Sequence, residues 1–143
     1  MMPSAYQYIL QQLKNQKISL TEIAQLAINY QGLYSQVPEI ETTEELLKKI
    51  IQQPQVEENL LVCFALENST ISEPLATIYQ SENVTNSLLL QIAATFGTIG
   101  ISNYFEIKLN HPELIHLSNN PKITDLALSL AAALSGELAQ MDS

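Results

Sequence analysis

Residues 122–140 read KITDLALSLAAALSGELAQ, and the spacing of apolar and small residues through this stretch is that of a helix. Asn120 and Pro121 stand just before it as a start signal, because proline loses nothing at the first helical position. Ala127, Ala131, Ala132 and Ser135 form a face of small residues that permits another helix to approach closely. Working back along the chain, the same periodicity recurs. His111-Pro112 starts a short helix, ELIHL, and before it lies a long apolar segment opened by Thr85 or Asn86. Ser72 caps a short helix through Leu75 and Tyr79. Pro54 begins a helix carrying LLVCFAL, which is apolar on all sides and so reads as a buried central helix, although its length alone would also suit a core strand.

In the N-terminal third, Ser19 with Glu22 and Thr42 with Glu45 each have the form of a capping box, and Ser4 caps a first helix. The helix opened by Ser19 is expected to stop near Gly32. No stretch alternates polar and apolar residues as a half-buried strand does. The expectation is an all-α fold, one domain over residues 1–143, built as a bundle of about seven helices. A chain of 143 residues has the size of one ordinary domain and buries enough surface to need no disulfide or metal staple.

Charge narrows the function classes. Only 15% of residues are charged, against a usual share of about 25%. The six basic residues are all lysines, there is no arginine, and the net charge is −9. A nucleic-acid binder needs a clustered basic face, so that class is excluded. Without arginine there is no bidentate guanidinium fork for a phosphate; a phosphorylated ligand would need a metal, a lysine or backbone N–H groups. The single Cys63 cannot form an intrachain disulfide and reads as a small buried apolar residue. The N-terminal MMPSAYQYILQQ lacks the pattern of a signal peptide, and no apolar run is long enough to span a membrane. A cytoplasmic domain without a transmembrane segment is expected.

The chemistry-bearing candidates gather in FGTIGISNYFEI, residues 96–107, and at the start of the last helix. Gly97 and Gly100 each cost about 1 kcal/mol relative to alanine inside a helix. Either another helix approaches closely there, or a local break exposes backbone N–H groups to an anion. Asn103 and Glu106 share a helix face. Asp125 lies early in the last helix, where the dipole favours a carboxylate, and it is also a candidate metal ligand. Glu67 ends the apolar fourth helix, either solvating that end or directed into a polar pocket. Magnesium needs only one or two carboxylates plus waters and phosphate, so Glu67, Glu106 and Asp125 would suffice if they converge. His111 and His116 are five apart, off the spacing of a helical zinc pair, and read as surface or capping residues.

In the order of these motifs the chain resembles the phosphatidylglycerophosphatase A family, in its soluble YutG-like branch. The likeness is strongest where FGTIGISNYFEI is followed by PELIHLSNN and ITDLALSLAAALSGELA, and it continues through ISLTEIAQLA and NLLVCFALE. The resemblance implies an all-α fold and a Mg²⁺-dependent phosphomonoesterase converting phosphatidylglycerophosphate to phosphatidylglycerol. It implies Asp125 and Asn103 as catalytic residues, Gly97, Thr98 and Gly100 at the substrate phosphate, and Glu67, Glu106 and Asp125 as metal ligands. The substrate would be a phosphorylated small molecule or a lipid headgroup. Two positions depart from the family pattern: Thr124 replaces the first of two adjacent acidic residues, and Lys108 stands where another is expected. The rival reading is a non-catalytic helical relative that binds a small ligand or a protein partner.

So uncharged a chain with long apolar helices is also expected to be a homo-oligomer. Light scattering at micromolar concentration should give a multiple of the 15.9 kDa chain mass; a monomeric mass removes this expectation.

Overall fold

The computed structural model describes residues 4–68, 82–117 and 121–141, with the side chains of residues 67, 68, 82–86 and 122 set aside. The fold is all-α. Seven α-helices run in order among the described residues: α1 (Ala5–Asn15), α2 (Leu20–Gln31), α3 (Ile40–Ile51), α4 (Pro54–Asn68), α5 (Glu82–Ala93), α6 (Thr98–Asn110) and α7 (Pro121–Met141). Short 3₁₀ turns follow α5 (Ala94–Phe96) and α6 (Pro112–Leu114). The expected short helix from Ser72 lies outside the described residues.

Local chemistry sets most of these boundaries. Ser4 and Gln7 form one full capping box and Ser19 and Glu22 another, each satisfying two otherwise orphaned N–H groups. The third helix does not begin at Thr42. It starts at Ile40 after Glu39, with no side-chain cap, and the Thr43 hydroxyl donates back to the Glu39 carbonyl at 2.9 Å. The Thr–Glu spacing matched a capping box, but both residues already lie inside the helix. The fifth helix likewise starts earlier than Thr85, at Glu82.

The core is one cluster, and α7 is its axis. This helix, about 31 Å long at 1.5 Å per residue, packs against α6, α2, α5 and α3. Residues 126–136 are buried without interruption, the polar Ser129 and Ser135 included. Both hydroxyls are satisfied by carbonyls one turn back, those of Leu126 and Ala132. The expectation of a central α4 is therefore corrected. That helix buries Val56, Leu60 and Phe64 on one face, while Val62 stays 45% exposed. An all-apolar surface identifies a helix that can be buried; small residues on α7 identify the one its neighbours can reach.

The two glycines have different reasons, one a local break in the helix and the other a close approach. Gly97 sits at φ +96°, ψ −169° between the 3₁₀ turn and α6, a conformation open essentially only to glycine. It is the local break. Gly100 is buried, and a Cβ there would meet the Ala93 carbonyl oxygen at 1.8 Å. It is the close approach. On the facing helix, Gly136 lies where a Cβ would be 3.6 Å from the Gly100 nitrogen, so two backbones nearly touch.

Gly100→Ala should cost about 3 kcal/mol or prevent folding, since the clash is with backbone rather than a movable side chain. Gly97→Ala has open space around it and should cost only the strain of its dihedral, about 1–3 kcal/mol. Urea melts of the two variants check the order.

Candidate functional site

The residues singled out in the sequence are strung along the antiparallel contact between α6 and α7. At one end lie Gly97 and Thr98, both exposed, with the Gln140 amide donating to the nearby Phe96 carbonyl at 2.9 Å. In the middle Asn103 is buried. At the other end Lys108 Nζ is 3.2 Å from Asp125 Oδ2. Ten helical residues separate Thr98 from Lys108, about 15 Å of axis. A single phosphate cannot touch both ends, so the expected grouping of Gly97, Thr98 and Gly100 with Asp125 around one ester is corrected. Gly100 is further excluded as a phosphate contact by its own geometry, because it is buried and its N–H donates to the Gly97 carbonyl at 3.2 Å.

Asn103 is the junction of a buried polar chain. The Tyr30 hydroxyl of α2 donates to Asn103 Oδ1 at 3.2 Å, and Asn103 Nδ2 donates to Ser135 Oγ on α7 at 2.8 Å. One amide therefore ties three helices together through directional bonds in a low-dielectric core. Burial, then the neighbouring Tyr34 and the Glu106 carboxylate, push the Tyr30 phenol up to about 12. At the edge of this chain the Tyr30 ring meets Tyr34 and His111 edge-on, with centroids 5.4 and 6.0 Å away.

Glu106 does share the Asn103 side of α6, but it is engaged. It accepts from Asn110 Nδ2 at 2.8 Å and lies 3.6 Å from His111 Nε2, while His111 Nδ1 is 3.3 Å from Glu113. The His111 N–H closes the last turn of α6 on the Ile107 carbonyl, and His116 is exposed, as capping and surface residues are. The expected third ligand, Glu67, lies outside the described side chains.

Asp125 and Lys108 have a further neighbour. The Tyr104 hydroxyl is buried beside the Lys108 ammonium. Burial pushes its pKa up and the Asp125 charge adds to that, whereas the Lys108 ammonium, 5.5 Å from the ring centroid, opposes both. Burial depresses Lys108 itself, but Tyr104 and Asp125 outweigh this and hold it above its ordinary value. Lys108 thus remains an ammonium at neutral pH, with Asp125 as its counter-charge.

Of the three expected magnesium ligands, Glu106 and Asp125 have described side chains, and each is already engaged by a neighbour. No group of three or more carboxylate, imidazole or thiol side chains stands together among the described residues. Asp125 already faces a cation, and Glu106 is committed to Asn110 and His111. Burial pushes the Cys63 thiol up to about 11, so a thiolate nucleophile is not available at neutral pH. Tyr30 and Ser135 were not legible as members of the Asn103 chain, because Tyr30 is 73 residues away in sequence and Ser135 looked like packing.

Asn103→Leu removes partners from two buried hydroxyls and should cost about 2–4 kcal/mol in urea unfolding. Tyr30, with a folded pKa of about 12 against an ordinary 10.0, contributes stability that is complete below pH 10 and lost as pH rises toward 12. Stability should fall across that window, and Tyr30→Phe should flatten the fall; an unchanged slope in the variant would assign it elsewhere.

Among the described residues no helix is long and apolar enough to cross a membrane. No family model matches the chain, and no curated protein does. Two solved structures are similar over their whole length. A protein of unknown function from Bacillus stearothermophilus has a TM-score of 0.74 at 23% identity, covering 100% of this chain and 98% of its own. The low temperature requirement C protein from Listeria monocytogenes has a TM-score of 0.76 at 21% identity, covering 99% and 98%. At such identities the likeness is one of fold: the chain shares its all-α fold with these two bacterial proteins.

Proposed function

We propose that the chain is a non-catalytic protein of this fold that acts by binding a small ligand or a partner. The observation that carries the reading is the 3.2 Å Lys108–Asp125 ion pair. An ammonium beside the carboxylate supplies the positive charge that a divalent ion would otherwise bring, and it repels such an ion. The pair is partly exposed, 39% and 27% at the two side chains, so it contributes at most about 1 kcal/mol to folding. Its consequence is chemical rather than structural. A lysine in this position can hold an anionic group as a point charge but cannot activate a water for attack at phosphorus.

The surface offers places for a macromolecular partner as well. Phe105 and Leu109 project from the outer side of α6, 43% and 71% exposed, and Leu33 and Tyr34 are exposed just beyond α2. Scattered apolar residues are ordinary on a soluble protein, but two successive turns of one helix make a ridge. A homo-oligomer formed on this ridge is the simplest form of the partner-binding reading.

The second reading, a magnesium-dependent phosphomonoesterase acting on a phosphorylated small molecule or lipid headgroup, is favoured by one feature. The order of Gly97, Gly100, Asn103 and Asp125 follows the phosphatidylglycerophosphatase A pattern. Metal linkage separates the two. Under the binding reading, millimolar Mg²⁺ or Mn²⁺ leaves the melting temperature unchanged and no phosphomonoester is turned over. Lys108→Glu, which restores a second carboxylate beside Asp125, should then create a metal-induced rise in Tm. Stabilisation of the natural chain by metal, abolished in Asp125→Asn and accompanied by phosphate release, would instead establish the enzyme.

A further inference from the structure

The connection between α1 and α2 holds a feature that neither reading uses. Helix α1 ends in a Schellman motif: the Ile18 N–H reaches back to the Leu13 carbonyl at 2.9 Å, with Lys17 between them at φ +63°. Glycine is the usual residue at this position, and an L-residue there costs about 1–2 kcal/mol. Lys17 is the one non-glycine residue with positive φ among those described. The chain therefore holds an ammonium-bearing side chain where backbone geometry favours none.

Lys17 lines a groove of about 390 Å³, together with Leu10, Leu13, Lys14, Ile18 and Leu20 and the capping pair Ser19 and Glu22. That volume is in the range of small-molecule sites. Leu13 and Ile18 are buried and form the floor; Leu10 and Leu20 are half-buried; Lys14 and Lys17 are exposed at the edge. Two of the chain's six lysines meet here, in a protein of net charge −9. Elsewhere Lys48 pairs with Glu45 and Lys108 with Asp125, whereas among the described residues neither Lys14 nor Lys17 has an ion-pair partner. The one carboxylate at the groove, Glu22, is held by the Ser19 N–H and hydroxyl at 3.0 and 3.1 Å and is committed to the α2 N-terminus. The dipole of α1 accounts for Lys14 in its last turn, but it does not require a left-handed Lys17.

We propose that this groove binds a single-chain anionic amphiphile. Its apolar tail lies along Leu10, Leu13, Ile18 and Leu20, and its carboxylate or phosphate head meets the Lys14 and Lys17 ammoniums. Apolar burial supplies the affinity, and the two unpaired charges select the head group. Both lysines can lay their methylene stems on the apolar wall while the ammoniums stay hydrated until the ligand arrives. The site is independent of Asn103 and Asp125 and stands whether or not the chain is an enzyme.

Isothermal titration of the full chain with decyl phosphate, kept below its micelle concentration, tests the proposal against decanol and inorganic phosphate. One molecule of decyl phosphate should bind per chain, more weakly as salt rises, and decanol and phosphate should each bind at least about tenfold less tightly. Lys14→Gln with Lys17→Gln should reduce decyl phosphate affinity at least about tenfold at unchanged Tm. Lys17→Gly should raise Tm, by relief of the left-handed strain, while it weakens binding. Equal binding of decanol, or lysine variants that bind as the natural chain does, would overturn the assignment. So would lysine-dependent binding to vesicles of anionic phospholipid without binding of the single-chain ligand, which would make the groove a surface contact instead.

Discussion

Everything in this fold depends on α7 being narrow enough to be surrounded. A helix in the middle of a bundle must be approached from several sides, and interaxial distance is set by the side chains at each contact. Ala127, Ala131, Ala132 and Ala133 leave no exposed surface, and at Gly136 the backbone of α6 lies within van der Waals contact of where a Cβ would stand. Leucines at 128, 130 and 134 fill the remaining directions and are themselves fully buried. Small residues set the approach and large ones set the cohesion. Neither alone would give a 21-residue helix buried on all sides of its central turns.

That close contact also arranges the polar groups. With α6 fixed against α7 by Gly100, Asn103 is presented to Ser135 and Tyr30, and Lys108 is presented to Asp125. The first of these is buried and directional; it specifies how α2, α6 and α7 sit together, because any slip would leave a hydroxyl or amide unsatisfied. The second is at the surface and contributes little to stability, yet it decides the chemistry that Asp125 can perform. Polar residues that look equivalent in sequence thus divide by depth into those that hold the helices together and those that meet solvent.

Much of the bundle was legible beforehand. Ser4 and Ser19 begin helices because their hydroxyls satisfy N–H groups locally, within three residues, and Pro54 begins one because it lacks an N–H to satisfy. Thr42 with Glu45 failed as a start signal, since the same spacing occurs inside any helix, and the true beginning at Ile40 carries no side-chain cap. The candidate site was legible only as a set of residues. Asn103 and Asp125 were identified, but not that a tyrosine from α2 completes one and a lysine from α6 neutralises the other. Glu67 lies outside the described side chains.

The amino-acid sequence by itself determined the all-α class and most helix starts, because these follow from periodicity and local capping. Tertiary structure alone decided which helix is central, what each glycine is for and which charges neutralise one another. Those outcomes depend on distances between residues far apart in the chain. Gly97 and Gly100 are three residues apart, and one sits at a positive φ that strains any other residue while the other leaves room for a neighbouring carbonyl oxygen where a Cβ would stand. Only the packing of α5, α6 and α7 tells them apart.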